Sequence, residues 1–264
     1  MARKLGKLKA AALAYVQMRN LRTVKTGDLA AALRITTKQE RELLSRMARA
    51  GMIAKVRNGL YLFPPKLPLG GVWTPDEAMA INALMADKQA NYQVTGPNAF
   101  NRYGYDEQIP SRIYVYNDAI SGDRSIGRIE LSLIKVNPER LGETEQFEMS
   151  AGETLVYSSR IRTLVDAIYD WSRFDSLPRA YDWIRRDIES GRISPAELSQ
   201  ATVRFGNLST IRRIGALLEQ VDVQESVLKT LQRKLTPSTA KIPFVPGRSA
   251  CGNLLKRWGV VLNG

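Results

Sequence analysis

Thr37, Lys38, Gln39, Arg41, Ser45 and Arg46 lie on the outward side of a segment whose Leu43, Leu44 and Met47 form an apolar stripe. These are the side-chain types that read base edges. An amide such as Gln39 can bond both polar atoms of an adenine edge, and Arg41 or Lys38 can do the same at guanine. A second set, Lys55, Arg57 and Asn58, surrounds an Asn58-Gly59 pair, and Lys25 lies upstream of it. Cations and amides of that kind suit phosphate or minor-groove contact, which fixes a protein on a duplex without reading its sequence. A third set, Arg212, Arg213, Lys229, Arg233 and Lys234, forms a possible accessory basic surface for DNA, RNA or an acidic protein face. The plainer reading of all three is solvated surface charge.

Charge distribution favours a polyanion partner. The chain of 264 residues carries 39 Lys and Arg against 26 Asp and Glu, a net of +13. Residues 1–64 hold 14 basic side chains against 3 acidic ones (Asp28, Glu40, Glu42), a net of +11. The remaining 200 residues hold 25 against 23, a net of +2, although 205–264 alone reach +6 with 9 basic and 3 acidic. Charge that served only solubility would not need to be segregated in this way. There is no histidine, and Cys251 is the one cysteine. Histidine-based acid–base catalysis, a Ser-His-Asp triad, an internal disulfide and a His- or Cys-rich metal site are therefore excluded. No phosphate-binding glycine loop or nucleotidyltransferase signature is found, so neither enzymatic activity nor a cofactor is expected. The short apolar run Ala10–Val16 is too brief for a secretory leader, and no stretch approaches a membrane span. The expected location is the cytoplasm.

The contact residues need a scaffold, and periodicity supplies one. Leu5, Leu8, Ala12, Tyr15 and Val16 recur at helical spacing, with Lys4, Lys7 and Gln17 elsewhere on the wheel, predicting a first helix to about Asn20. Thr26 or Asp28 caps a short second helix that turns Leu29, Ala32 and Leu33 inward. Thr36–Gln39 and Thr37–Glu40 both fit a capping box for a third helix, which Gly51 ends. Residues 52–56 and 60–63 then read as strands around Asn58-Gly59, a strong hairpin signal. Helix, helix-turn-helix and hairpin in this order predict a winged helix-turn-helix with the third helix in the major groove. Pro64–Gly71 reads as a linker, dividing the chain into domains 1–66 and 74–264.

Beyond it, Thr74-Pro75-Asp76-Glu77 opens another helix. Short strands follow at 92–95, 113–117 and 128–136, with turn chemistry at Ser121-Gly122-Asp123. From Ser159 the pattern is helical to about Leu235, so the strand-containing part covers about 74–157 and the helical part about 158–264. Arg162 and Asp166, one turn apart, predict an intrahelical ion pair. Tyr169, Trp171, Tyr181 and Trp183 read as core between helices rather than as a docking surface. The predicted fold class is α+β: an N-terminal winged helix-turn-helix followed by a larger mixed α/β domain with a helical C-terminal half.

The segments DLAAALRITTKQERELLSRMARAGMIAKVRNGLYLF, VTGPNAFNRYGYDEQIPSRIYVYN, RIRTLVDAIYDW and IRRIGALLEQV, in this order, resemble the AbiEi family of antitoxins. The resemblance runs from Asp28 to about Trp258 and departs from the family pattern at Ile161, where an acidic residue is expected. It implies a type IV toxin–antitoxin, or phage abortive-infection, protein with two jobs. The winged helix would repress its own promoter by binding inverted repeats in double-stranded DNA. The C-terminal domain would counter an AbiEii-like nucleotidyltransferase toxin without needing a stable complex. The competing expectation is a solitary winged-helix transcription factor whose C-terminal domain senses a ligand or oligomerises.

Overall fold

The computed structural model describes residues 6–66, 68, 71–149, 152–237, 239–248 and 251–263. Lys4 and Leu5 of the expected first helix, and Gly70 of the expected linker, lie outside the described residues. The chain opens with α1 (Lys7–Met18), β1 (Thr23–Lys25), α2 (Thr37–Arg49), β2 (Ala54–Arg57), β3 (Leu60–Leu62) and α3 (Glu77–Lys88). It continues with β4 (Tyr92–Val94), α4 (Pro97–Arg102), β5 (Ile113–Asn117), β6 (Gly122–Ile126), β7 (Ile129–Lys135), β8 (Thr144–Glu148) and β9 (Thr154–Ser158). Then come α5 (Arg160–Tyr169), α6 (Trp171–Phe174), α7 (Arg179–Glu189), α8 (Pro195–Phe205), α9 (Leu208–Gln220) and α10 (Glu225–Gln232). Three short strands close the chain: β10 (Ile242–Pro243), β11 (Asn253–Leu255) and β12 (Val260–Leu262). The architecture is mixed α+β, and no helix among the described residues is long and apolar enough to cross a membrane.

Two compact units emerge, each discontinuous in sequence. The first comprises Met1–Tyr92, Ser111–Pro138 and Gln146–Leu155; the second comprises Gln93–Pro110, Glu139–Glu145 and Val156–Gly264. The expected cut between 66 and 74 therefore runs through the first unit. There the backbone N–H of Trp73 donates to the Gly51 carbonyl at 2.7 Å, returning the chain past the proline-rich stretch to the end of α2.

Within the first unit, α1 buries Ala12, Leu13 and Val16, and α2 buries Leu43, Leu44 and Met47 in the same cluster as Val24, Leu29, Tyr61 and Phe63. A three-stranded sheet in the order β1-β3-β2 underlies them. Its central strand, β3, is buried at all of its residues. The expected second helix is a run of turns over 26–34, with one helical hydrogen bond, Leu33 N–H to the Leu29 carbonyl at 2.9 Å. Left-handed backbone at Gly27 (φ 111°) and Arg34 (φ 53°) confines it. The cap of α3 is Asp76, whose carboxylate accepts from the Met79 N–H at 2.8 Å, so Pro75 precedes the helix. Where only a turn was expected around Gly122, the edge strand β6 pairs antiparallel with β7, and β5 pairs in parallel on the other side of β7.

In the second unit β4 pairs in parallel with β9, Val94 opposite Tyr157. Helices α5 to α10 occupy the stretch predicted to be helical. Tyr181 and Trp183 are core, 2% and 3% exposed, while Tyr169 and Trp171 are half-buried. The tail folds into a small sheet in the order β10-β12-β11. Trp258 is buried there against Gly215 of α9, where a Cβ would fall 2.3 Å from the indole ring.

Candidate nucleic-acid interface

Helix α2 is held by polar contacts at its start and by apolar ones beneath it. Thr36 caps it: its hydroxyl accepts from the Gln39 N–H at 3.2 Å, and the Gln39 side-chain oxygen accepts from the Thr36 N–H at 2.9 Å. Of the two possible capping boxes this is the one formed. It turns the Gln39 carbonyl oxygen back onto the helix end, so Gln39 is not poised to pair with adenine, which needs that oxygen together with the amide nitrogen.

Glu40 is used elsewhere. It is fully buried, and its carboxylate accepts from the backbone N–H groups of Gly27 at 2.7 Å and Leu29 at 2.8 Å. The turn segment is thereby bonded to α2 through a charged acceptor, the stronger kind of hydrogen bond.

With Glu40, Leu43, Leu44 and Met47 inward, α2 exposes Thr37, Lys38, Gln39, Arg41, Glu42, Arg46 and Arg49, and leaves Ser45 half-buried. Arg41, Glu42, Ser45, Arg46 and Arg49 line a shallow concavity on that surface. Lys38, Arg41, Arg46 and Arg49 form no ion pair among the described residues. Arg46 donates from Nε to the Glu42 carbonyl at 3.3 Å.

The hairpin forms where Asn58-Gly59 predicted it, with Gly59 at φ 79° and a register shift between Lys55 and Arg57. Lys25 sits at the end of β1 rather than at the start of a helix. The Thr26 N–H donates to the Gly59 carbonyl at 2.9 Å, which brings the exposed Lys25 near the exposed hairpin tip. Lys55 and Asn58 are exposed as expected.

Arg57 is not free for a phosphate. Its Nε donates to Asp87 of α3 at 2.7 Å, a second nitrogen reaches the other carboxylate oxygen, and a third donor reaches the Asn58 carbonyl at 2.7 Å. The hydrogen bond to Asp87 raises the Arg57 pKa, and the same bond holds Asp87 below its ordinary value. A carboxylate with a depressed pKa stabilises the fold above its unfolded-state pKa, and that contribution is lost as pH falls through the folded value. Arg57→Ala should therefore lower the thermal midpoint at neutral pH, with the difference from wild type shrinking in acid. It should leave the salt dependence of DNA binding unchanged. Lys55→Ala should do the reverse, flattening the slope of log K against log salt by about 0.9 with no change in midpoint. Melting curves over a pH series and binding titrations over a salt series check both; a flattened slope for Arg57→Ala would contradict the assignment.

The accessory basic set divides. Arg212 donates to the carbonyls of Trp258, Ala240 and Gly259, all at 2.5 Å, and Arg213 is 7% exposed and donates to the Pro243 carbonyl at 3.3 Å. Both arginines tie the C-terminal segment to α9 and are not available as an accessory surface. Burial lowers the pKa of each. Lys229, Arg233 and Lys234 are exposed.

The expected Arg162–Asp166 pair is present, Nε to Oδ1 at 2.9 Å, and both side chains are wholly buried. Arg140 joins it at 2.8 Å, and Thr95 and Ser158 donate hydroxyls to the other carboxylate oxygen at 3.2 and 3.3 Å. Asp166 thus has every carboxylate oxygen engaged, by two arginines on one side and two hydroxyls on the other. Among the described residues no group of three or more His, Cys, Asp or Glu side chains is placed to hold a metal.

No family model matches the chain, and no curated protein matches it. Among solved structures, the RV2827C protein from Mycobacterium tuberculosis is similar over 98% of this chain and 92% of its own, with a TM-score of 0.61 and 16% sequence identity. At that identity the likeness is one of fold.

Proposed function

We propose that α1 to β3 constitute a winged helix-turn-helix that binds double-stranded DNA, with α2 as the recognition helix. The observation that carries this reading is the outer face of α2. Lys38, Arg41, Arg46 and Arg49 stand there without acidic partners among the described residues, on a helix fixed by the Thr36–Gln39 cap and the buried Glu40. Most of the chain's basic excess lies in the same segment. The turn run over 26–34 takes the place of the usual middle helix.

The resemblance to AbiEi antitoxins extends this proposal to a cytoplasmic autorepressor and antitoxin. It would bind inverted repeats upstream of its own gene and counter a nucleotidyltransferase toxin encoded beside it. Its work is binding rather than catalysis. The test has two arms. Gel-shift titration on the DNA upstream of the gene should show Arg41→Ala losing about 1–3 kcal/mol on that DNA and much less on random duplex. Equal losses on both would mean that Arg41 touches only phosphate. Co-expression with the adjacent gene should give growth arrest that the full-length chain relieves; no arrest, or no relief, sinks the antitoxin reading.

One observation favours the alternative of a ligand-sensing regulator. A cleft in the second unit is lined by Leu208, Arg212, Leu235, Lys256 and Trp258, and its volume of about 460 Å³ would admit a small anion.

A further inference from the structure

We infer that Arg49, Lys55 and Arg128 together form a seat for the DNA phosphate backbone, which extends the interface beyond the hairpin to a turn far away in sequence. This rests on the DNA-binding reading above. The turn is Gly127-Arg128, joining β6 to β7 with Ile126 opposite Ile129. Gly127 adopts φ 64°, the left-handed geometry of a two-residue hairpin whose first position favours glycine.

The turn is packed in place. A Cβ on Gly127 would stand 2.9 Å from Cδ of Pro75 and 3.6 Å from Cβ of Ala54 in β2. Between this turn, β2 and the end of α2 lies a cleft of about 460 Å³. Arg49, Lys55 and Arg128 line it beside Trp73, Thr74 and Ser125, and no carboxylate is among its lining residues.

Three points make this a phosphate seat rather than incidental surface charge. The side chains of Arg49, Lys55 and Arg128 make no ion pair among the described residues, so nothing in the fold neutralises them. The acids nearest in sequence are held by other partners: Asp123 binds Arg112 at 2.7 Å and Ser132 at 3.0 Å, and Glu130, which is not a lining residue, accepts from the cleft residue Ser125 at 2.8 Å. Arg49 also lines the concavity on α2 that holds Arg41, Glu42 and Arg46, so a run of arginines with Glu42 as its one acid leads from the recognition helix to the cleft that holds Arg128. Cations converging in a concave, carboxylate-free site match a polyanion backbone, where each contact displaces condensed counterions.

The test uses the full chain and a fluorescein-labelled duplex of random sequence, titrated by anisotropy over a salt series. Arg128→Ala should weaken binding and lower the slope of log K against log salt by about 0.9, and Arg49→Ala with Arg128→Ala by about 1.8. Arg128→Lys should keep the wild-type slope. Lys135→Ala is the control: Lys135 is exposed at the other end of β7, opposite Asn117, and its loss should leave the slope unchanged. Circular dichroism checks that the variants fold. If the wild type binds with a salt-dependent affinity and Arg128→Ala has the same slope, the seat is wrong while the DNA reading stands. An equal drop for Lys135→Ala also overturns it, because the effect would then be one of diffuse charge. If the wild type binds no duplex at low salt, the DNA-binding reading fails and the seat with it.

Discussion

Asp166→Ala is expected to cost the second unit about 3–5 kcal/mol of stability, the usual consequence of removing one partner from a buried charge cluster. Asp166 is fully buried and receives Arg162 at 2.9 Å and Arg140 at 2.8 Å. Arg162 has further acceptors in the carbonyls of Arg140 at 2.7 Å and Gly142 at 3.3 Å, but these supply no negative charge. Without the carboxylate a wholly buried guanidinium would keep its charge in a poorly solvated site, and Thr95 and Ser158 would lose their shared acceptor. Stability would fall because an uncompensated charge is left behind, not because the native cluster is strongly favourable. Replacing Arg140, Arg162 and Asp166 together with apolar residues of similar volume should therefore cost far less than Asp166→Ala alone. Urea unfolding followed by tryptophan fluorescence reports on this unit through Trp171, Trp183 and Trp258. A loss under about 1 kcal/mol for Asp166→Ala would mean that water reaches the site and solvates both arginines.

The second large effect is expected at Glu40, this time in the first unit. Glu40→Ala should cost on the order of 3 kcal/mol, since one buried and one part-buried N–H group would lose a charged acceptor. The bonds to Gly27 and Leu29 are what hold the 26–34 turns on α2. DNA affinity should fall along with the melting midpoint, although Glu40 is buried and touches no ligand. Glu40→Gln separates charge from shape. It keeps the volume but turns an NH2 group toward a donor, so at most one of the two bonds survives, and it should destabilise almost as much. Thermal melts beside anisotropy titrations measure both effects. A Glu40→Ala protein that melts like wild type, yet does not bind DNA, would move Glu40 from the scaffold to the interface.

Glu40 also shows what could be read from the residues alone. It falls on the inward stripe of α2 with Leu43, Leu44 and Met47, spaced i, i+3, i+4 and i+7. An acid on an apolar stripe needs a buried partner, but the i+3 spacing from Thr37 offered a local role as well, and both capping boxes fitted the sequence equally. Only the left-handed bends at Gly27 and Arg34 explain why the preceding segment takes up turns and presents N–H groups to that carboxylate. Leu29 and Leu33 have helical spacing, and spacing does not report such bends. The helices α1, α2 and α3, the hairpin and the helical run after Ser159 were legible because periodicity and caps act within a few residues. Strand β6 was not, because Gly122 to Ser125 are all exposed, leaving no alternation to detect.

Long-range partners were hidden for the same reason. Nothing near Arg57 marks Asp87, thirty residues on, as the carboxylate that takes it, and nothing in Arg212 tells of Trp258, Ala240 and Gly259. The division into units was hidden likewise. Pro64, Pro65 and Gly71 mark a local break in regular structure, whereas a unit boundary depends on what later segments return to pack against.

The interleaving of the two units bears on how such a chain is made and how it can change. The chain passes from one unit to the other at 92/93, 110/111, 138/139, 145/146 and 155/156. During synthesis, the amino-terminal unit cannot be complete until Leu155 has left the ribosome, although the segment with α2 emerges long before. A chain interrupted near residue 70 would lack α3, the seat for Arg57, and the turn that carries Arg128. Recombination is restricted in the same way. One crossover cannot exchange one unit and leave the other intact, as it could between beads on a string, because every exchange point would leave at least one unit with pieces of two parents. Change in such a gene must come by substitution at the contact surface, one side chain at a time, with both halves inherited together.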